Sequence, residues 1–359
     1  MKYILGIETT FRTSGIGLVD KSGKVIFNEK INIDFADEKA EKFFQLHMKD
    51  TLSLVKPVME KYGNDIFLIS VANQQGPFHS MPVGVIIANT LSYFFNKEII
   101  GIDHEISHLY SNWLDRDQSI FNFPIISLSI SGAHTNIWLI KEHGKVHLLK
   151  KLIFNENKEQ FSGLGALFYF ICFNGFGLKI NKGEGGPLLE KLALNGKPKY
   201  SKQLKFDVKK ENESFKFFDI RNYLTQKIKE LGYYSLRYKE REQFQKDFAC
   251  SFLEAIFDEL ATMIGKAAAD FDAKEVHLAG GAAVNTFLIS SLKKFCEDKS
   301  LILRQPVKSN YCGDNGAMNA IFGYYQWSAL TSEEKKDNKF ISIKPFEWYY
   351  KYYVNYFLK

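Results

Sequence analysis

With 359 residues, 45% of them hydrophobic, the chain is long enough for two domains of ordinary size and apolar enough for two cores. Its 47 basic and 41 acidic side chains leave a net charge of +6, which permits contact with a polyanion such as RNA but does not demand it. Cys172, Cys250, Cys296 and Cys312 form no CxxC pair and no apolar run approaches membrane-spanning length; together with a strand pattern at the very start, this predicts a cytoplasmic protein with reduced thiols, no signal peptide and no membrane segment.

The chain opens on YILGI, residues 3–7, a short apolar strand, and continues through the polar turn 8–14. Strands at 16–19 and 25–27, joined by Lys21-Ser22-Gly23, complete a hairpin. Residues 38–62 predict an amphipathic helix with Phe43, Leu46, Met48, Leu52, Leu54 and Val55 as apolar positions. A buried strand at 66–71 runs into the loop 73–78, and 83–95 predicts a helix in which Gly84 and Ala88 permit close packing. A strand at 98–102 then delivers the chain into GIDHEISHLY, residues 101–110. This stretch carries His104 and His108 spaced i,i+4, so a helix here puts both imidazoles on one face, within reach of one cation. Far downstream, YCGDNGAMN at 311–319 sets Asp314 and Asn315 where a Gly-flanked loop enters an apolar helix. Two histidines and one carboxylate leave coordination positions open, which suits a catalytic or substrate-holding metal better than a closed structural one. The plain alternative is a structural histidine pair.

Shifted by about 121 positions, YILGIETTFRTSGIGLVDKSGKVIFNEKI lies over PIISLSISGAHTNIWLIKEHGKVHLLKKL, strand on strand and loop on loop. A hairpin followed by α/β units, present twice, predicts an α/β fold of two ribonuclease-H-like domains facing a cleft, with ligands beyond the carboxyl ends of the strands. The predicted boundaries are 1–123, 124–345 with an insertion at 198–240, and an aromatic tail at 346–359, with Pro124 marking the first junction.

In the second copy, Ser129, Ile130, Ser131, Gly132 and Ala133 form a small-residue turn whose backbone N–H groups suit a phosphate, although most such turns only bend the chain. Gly185 and Gly186 precede an apolar-periodic helix at 188–194 and let a nucleotide approach the backbone. The basic, polar stretch 198–216 fits a solvated hairpin or insertion better than an RNA surface. Residues 240–271 predict a long amphipathic core helix. The strand at 276–280 breaks at Gly280 and Gly281, where a helix can start close to a nucleotide, and Asn285 is a candidate for the base or ribose.

The stretches ILGIETT, QGPFHSMPVGVIIA, HEISH, SLSISGAHT, GGPLLEKLA, LAGGAAVN and YCGDNGAM, in this order over residues 1–345, resemble the TsaD-type family of tRNA threonylcarbamoyl-adenosine synthase subunits. That family, once described as glycoprotease-like, sits with the wider carbamoyltransferase group in the actin-like ATPase superfamily. The resemblance implies that His104, His108 and Asp314 hold one divalent metal, iron or zinc. It assigns residues 129–133 to an acyl-adenylate, Gly186 to the nucleotide region and Asn285 to the adenosine part. It also implies an already activated adenylate attacked by an amine with no protein nucleophile, consistent with the lack of a Ser-His-Asp or Cys-His constellation in the sequence. Implied partners are tRNA, a separate adenylate-forming protein, a ribonuclease-H-like paralogue and a small ATPase helper, with ATP as a further candidate ligand.

The sequence departs from the family at three places. Ala133 stands where SGGHT has its second glycine; GEAFDK, whose Asp touches the ribose, corresponds to GALFYF at 165–170; and FKFFD at 215–219 replaces SFSG. Residues 161–196 also resemble antibiotic and nodulation O-carbamoyltransferases, which carry an additional adenylate-making domain for which this chain has no room. The expected activity is transfer of threonylcarbamoyl from threonylcarbamoyl-adenylate to a tRNA adenosine. The alternatives are a carbamoyltransferase using carbamoyl-adenylate or carbamoyl phosphate with a small-molecule, sugar or nucleotide acceptor, and a non-catalytic binding paralogue. The three-ligand set argues against the last. A sugar kinase of the same superfamily would want a catalytic Asp and Mg-binding carboxylates, which 129–135 lacks.

Overall fold

The apolar opening of the chain becomes the centre of a sheet. In chain order the first unit contributes β1 (Tyr3–Glu8), β2 (Thr13–Asp20), β3 (Val25–Asn32), α1 (Ala40–Tyr62), β4 (Ile66–Gln74), α2 (Met81–Phe95), β5 (Glu98–Asp103) and α3 (His104–Tyr110). The computed structural model describes residues 2–33, 40–76, 80–155, 162–181, 183–211, 214–337 and 339–344. The strands order as β3-β2-β1-β4-β5, with β1 antiparallel to β2 and parallel to β4. Covered on both faces, β1 reads as a nearly continuous apolar run instead of alternating. Val55 and Val58 of α1 and Val83, Ile87 and Ala88 of α2 share a core with Leu5, Ile7, Ile16 and Leu18 of the sheet.

The second unit, Asn122–Gln305, comprises β6 (Ile125–Ile130), β7 (Thr135–Glu142), β8 (Lys145–Ile153), α4 (Leu164–Phe170), α5 (Gly185–Ala193), β9 (Val208–Glu211), β10 (Ser214–Phe217), α6 (Ile220–Glu230), α7 (Tyr238–Asp270), β11 (Glu275–Ala279), α8 (Thr286–Asp298) and β12 (Ile302–Arg304). Its sheet runs β12-β11-β6-β7-β8-β10-β9. The sequence β8-β7-β6-β11-β12 repeats β3-β2-β1-β4-β5 in order and direction, so the duplication visible in the sequence is a duplication of a ribonuclease-H-like fold. The hairpin β9–β10, drawn from the basic stretch, extends the sheet beyond β8. At the other end Glu275 is fully buried and accepts hydrogen bonds from Arg304 (Nε, 2.8 Å) and from the backbone and side chain of Asn122 (3.0 and 2.9 Å). One carboxylate thus holds the first and last stretches of the unit.

From Pro306 the chain rejoins the first unit, contributing α9 (Gly316–Ala329) and α10 (Ser332–Asp337). The predicted second domain, 124–345, is therefore too long at its C-terminal end. The cause lies in small residues whose partners only the fold reveals: a side chain on Gly6, Gly17 or Gly316 would collide with backbone of the facing element, so α9 lies directly on β1 and β2. Asn319 Nδ2 donates to the Ile7 carbonyl at 2.8 Å, and Ser70 Oγ donates to the Asn319 carbonyl at 2.7 Å. The aromatic tail at 346–359 lies outside the described residues. Among the described residues no helix is long and apolar enough to cross a membrane.

Candidate functional site

The histidine stretch is helical. Asp103 ends β5 and caps α3, its carboxylate accepting from the Ile106 N–H at 3.1 Å. The seven residues of α3 then set His104 and His108 one turn apart, with ring centroids 4.8 Å from each other. Asp314 is delivered by the loop into α9. Asn315 caps that helix through Met318 N–H at 3.0 Å, while its Nδ2 donates to the carbonyls of Tyr311 and Gly313 at 3.2 and 2.8 Å. Asp314 Oδ1 lies 3.2 Å from His108 Nε2 and 3.7 Å from His104 Nε2, and one ligating atom from each of the three residues lies within 4.8 Å of the others. Bonds of about 2.1 Å at tetrahedral angles separate neighbouring donors by about 3.4 Å, so this donor set fits one divalent cation.

Glu8, at the end of β1, was missed in the sequence. It is fully buried, and its Oε2 faces His104 Nδ1 at 3.1 Å, leaving Nε2 directed at Asp314. A carboxylate behind an imidazole fixes the ring and its tautomer and strengthens it as a ligand. Burial opposes charge on His104, but the Glu8 carboxylate and its hydrogen bond, with Asp314 adding to them, outweigh burial and push the imidazole up to about 9. On Asp314 burial acts in the opposite direction and raises the carboxyl; the hydrogen bond from His108 and the charges of His104, His108 and Lys30 outweigh it and bring it down to about 2. Lys30 Nζ also donates to the Asp314 carbonyl at 3.0 Å. The only sequence signal for Glu8 was one carboxylate closing an otherwise apolar strand. A serine–histidine contact, Ser14 Oγ to His47 Nδ1 at 2.8 Å, also escaped notice; both residues are fully buried and His47 Nε2 faces the Phe11 carbonyl, so the pair ties α1 to the hairpin and has no access to a substrate.

In the second unit the predicted nucleotide residues divide into two groups. Ser129 and Ile130 belong to β6: the Ser129 hydroxyl accepts from Trp138 Nε1 at 3.0 Å, and the Ile130 side chain is buried. The Ser131 N–H is spent on the His134 carbonyl at 2.8 Å, which closes the turn and leaves Gly132 and Ala133 at its tip. A side chain at Gly132 or Gly281 would meet nothing within 4 Å, and one at Gly186 would meet only the Phe168 ring at 3.7 Å. Gly185, by contrast, lacks a side chain because α5 rests on Tyr169, and Gly280, at φ +82°, because a side chain would come within 2.5 Å of the Ile130 carbonyl. Asn285 caps α8, its Oδ1 accepting from Leu288 N–H at 2.9 Å. Glu190 of α5 receives the Thr286 N–H at 2.6 Å and its hydroxyl at 2.5 Å, joining the Gly186 and Asn285 segments. No carboxylate stands on α4, as its sequence LGALFYF requires.

A sequence model of the TsaD family, described as tRNA N6-adenosine threonylcarbamoyltransferase, matches residues 41–321. The chain belongs to this family. Among TsaD relatives, it is 27% identical over 353 residues to the tRNA N6-adenosine threonylcarbamoyltransferase of Dictyoglomus turgidum, spanning 95% of this chain and 97% of the relative. It is 30% identical over 331 residues to the protein of that name from Thermosipho melanesiensis, spanning 89% and 94%. Among solved structures, HypF from T. kodakarensis superposes with a TM-score of 0.61 at 15% identity, and full-length HypF in its phosphate- and nucleotide-bound form with 0.58 at 10%. The chain covers 50% and 47% of those two proteins. These likenesses show that this TsaD-family member shares its fold with part of HypF.

Proposed function

We propose that the chain transfers a threonylcarbamoyl group from threonylcarbamoyl-adenylate to a tRNA adenosine, assisted by one divalent metal, iron or zinc, and with no covalent enzyme intermediate. The observation that carries this reading is the convergence of His104, His108 and Asp314, backed by Glu8, in a chain matched to the TsaD family across residues 41–321. His104 Nε2, His108 Nε2 and a carboxylate oxygen of Asp314 would hold the metal. Bound there, a divalent cation would supply the positive charge that stabilises developing negative charge. Glu8 orients His104 through Nδ1, and Asn315 and Lys30 fix the backbone around Asp314. In the second unit the turn at Gly132 and Ala133 and the segments at Gly186, Gly281 and Asn285 would bind the adenylate. The donor carries its own activation, so the protein's task is to position it and stabilise charge while the adenosine amine attacks. The donor comes from a separate adenylate-forming protein, with a ribonuclease-H-like paralogue and a small ATPase as candidate helpers. Four buried, unpaired cysteines support a cytoplasmic setting.

The test offers threonylcarbamoyl-adenylate and carbamoyl-adenylate in parallel to the metal-loaded chain, with and without unmodified tRNA. Threonylcarbamoyl on tRNA adenosine is the expected product. Consumption of carbamoyl-adenylate alone, with tRNA untouched, would replace this reading with a carbamoyltransferase acting on a small acceptor, the reading that the carboxylate-free α4 favours.

A further inference from the structure

The positive charge of the chain is concentrated in one stretch of the second unit. Residues 197–221 carry eight basic and four acidic side chains, so 25 residues hold a net +4 out of the chain's +6. The fold gathers much of this charge at one end of the second sheet. There β9 is the edge strand, and β10 lies between it and β8. Their antiparallel register sets Lys209 directly opposite Lys216 and Lys210 opposite Phe215. Lysines on an edge strand blunt pairing with other sheets, which accounts for those of β9. It does not account for Lys216 on the strand inside, nor for two like charges set opposite each other, an arrangement that costs stability.

Three of the cations lie on aromatic rings. Lys209 Nζ stands 3.4 Å from the centroid of Phe218, Lys210 Nζ 5.7 Å from that of Phe215, and the guanidinium carbon of Arg221, in the first turn of α6, 5.1 Å from that of Phe170. Among the described residues none of the three forms an ion pair. The Nε of Arg221 is buried without a hydrogen-bond partner, and burial alone lowers the pKa of its guanidinium. Lysines elsewhere on the surface face carboxylates instead: Lys56 pairs with Glu60, Lys246 with Glu242 and Lys274 with Asp272. A ring face attracts a cation without neutralising it, so the N–H donors stay available to an anion. We propose that the β9–β10 hairpin and the first turn of α6 form a docking surface for the phosphate backbone of the acceptor RNA. Its charge complements a polyanion, and contacts of this kind position a nucleic acid without reading its sequence. An anionic membrane would require an apolar anchor beside the charge, whereas Phe215 and Phe218 lie against lysines.

This inference rests on the reading of the chain as a tRNA-modifying transferase, and the test separates the two. Binding of unmodified tRNA to the full-length protein and its variants, each shown to be folded by circular dichroism, is followed by fluorescence anisotropy between about 50 and 200 mM salt. Each phosphate contact contributes about 0.7–0.9 to the slope of log affinity against log salt. Over this fourfold range the wild type should therefore lose about 7- to 12-fold more affinity than Lys209→Gln/Lys216→Gln, and about 3-fold more than Arg221→Gln. Lys56→Gln/Lys274→Gln removes as much charge from lysines that face carboxylates and should keep the wild-type slope. Equal slopes for the wild type and the hairpin variant would overturn the docking surface and leave the transferase reading intact. Binding to phosphatidylserine vesicles that requires Lys209 and Lys216, with the tRNA slope unchanged by their loss, would overturn it in favour of a membrane surface. A wild-type protein that does not bind tRNA would overturn both.

Discussion

Glu8→Gln isolates the carboxylate behind the histidines. Every partner of Glu8 is a donor: Thr10 N–H at 2.6 Å on Oε1, Asn319 Nδ2 at 3.0 Å and His104 Nδ1 at 3.1 Å on Oε2. A glutamine of the same shape must aim its NH2 at one side or the other, so at least one buried donor is left facing a donor. One such unsatisfied group costs about 1–3 kcal/mol, and the charge that holds His104 protonated in the metal-free protein is lost as well. We expect the fold to lose about 2–4 kcal/mol. Removal of the group that orients a metal-bound imidazole typically weakens metal affinity by roughly 10- to 100-fold. Zinc titration by calorimetry reads the second effect, and thermal melts with and without zinc read both, because the stabilisation zinc adds grows with the logarithm of its free concentration over Kd. A Glu8→Gln protein that melts with the wild type and binds zinc equally tightly would refute the role given to Glu8.

Three further outcomes follow from the geometry. His104→Ala and Asp314→Ala should each abolish stoichiometric metal by elemental analysis and abolish transfer while the protein still folds; a metal-replete, active variant would remove these residues from the site. Gly316→Ala drives a methyl into the backbone of Gly17 and should cost more than about 3 kcal/mol, whereas Gly281→Ala, which meets nothing, should stay within about 0.5 kcal/mol; equal denaturation midpoints would contradict the packing of α9. At Glu275, burial is outweighed by hydrogen bonds from His277, Arg304 and Asn122, which hold the carboxyl at about 2 against the ordinary 4.5. Its folded value is depressed, so its contribution, up to about 3 kcal/mol, is complete above pH 4.5 and drains away as pH falls toward 2. The stability gap between wild type and Glu275→Gln should therefore be level from pH 7 to 5 and narrow below 4.5, and a gap independent of pH would count against the network.

The parts of the fold that were legible in the sequence are those written in local pattern. The i,i+4 histidines declared a shared helical face, the duplicated strand grammar declared two similar sheets, and the apolar period of 240–271 anticipated α7. What escaped depends on contacts between distant segments. Glu8 looks like the polar end of a strand until Asn319 and His104 arrive from 311 and 96 residues away. The return of α9 to the first sheet is written in Gly6, Gly17 and Gly316, three residues whose partners cannot be read from their neighbours. Gly185 and Asn285 had sequence contexts that fit a ligand equally well, yet the structure spends one on helix packing and the oxygen of the other on a cap.

The first unit is interrupted by the whole of the second, and the order of synthesis follows from that. His104 and His108 are synthesised before residue 122, and Asp314 only after residue 305. A nascent chain halted anywhere in the intervening stretch carries two of the three ligands and lacks α9, the helix that covers β1 and β2. The cluster of His104, His108 and Asp314 is therefore complete only once translation has passed the inserted unit. A premature product would therefore combine an uncovered sheet face with an incomplete cluster of His104, His108 and Asp314.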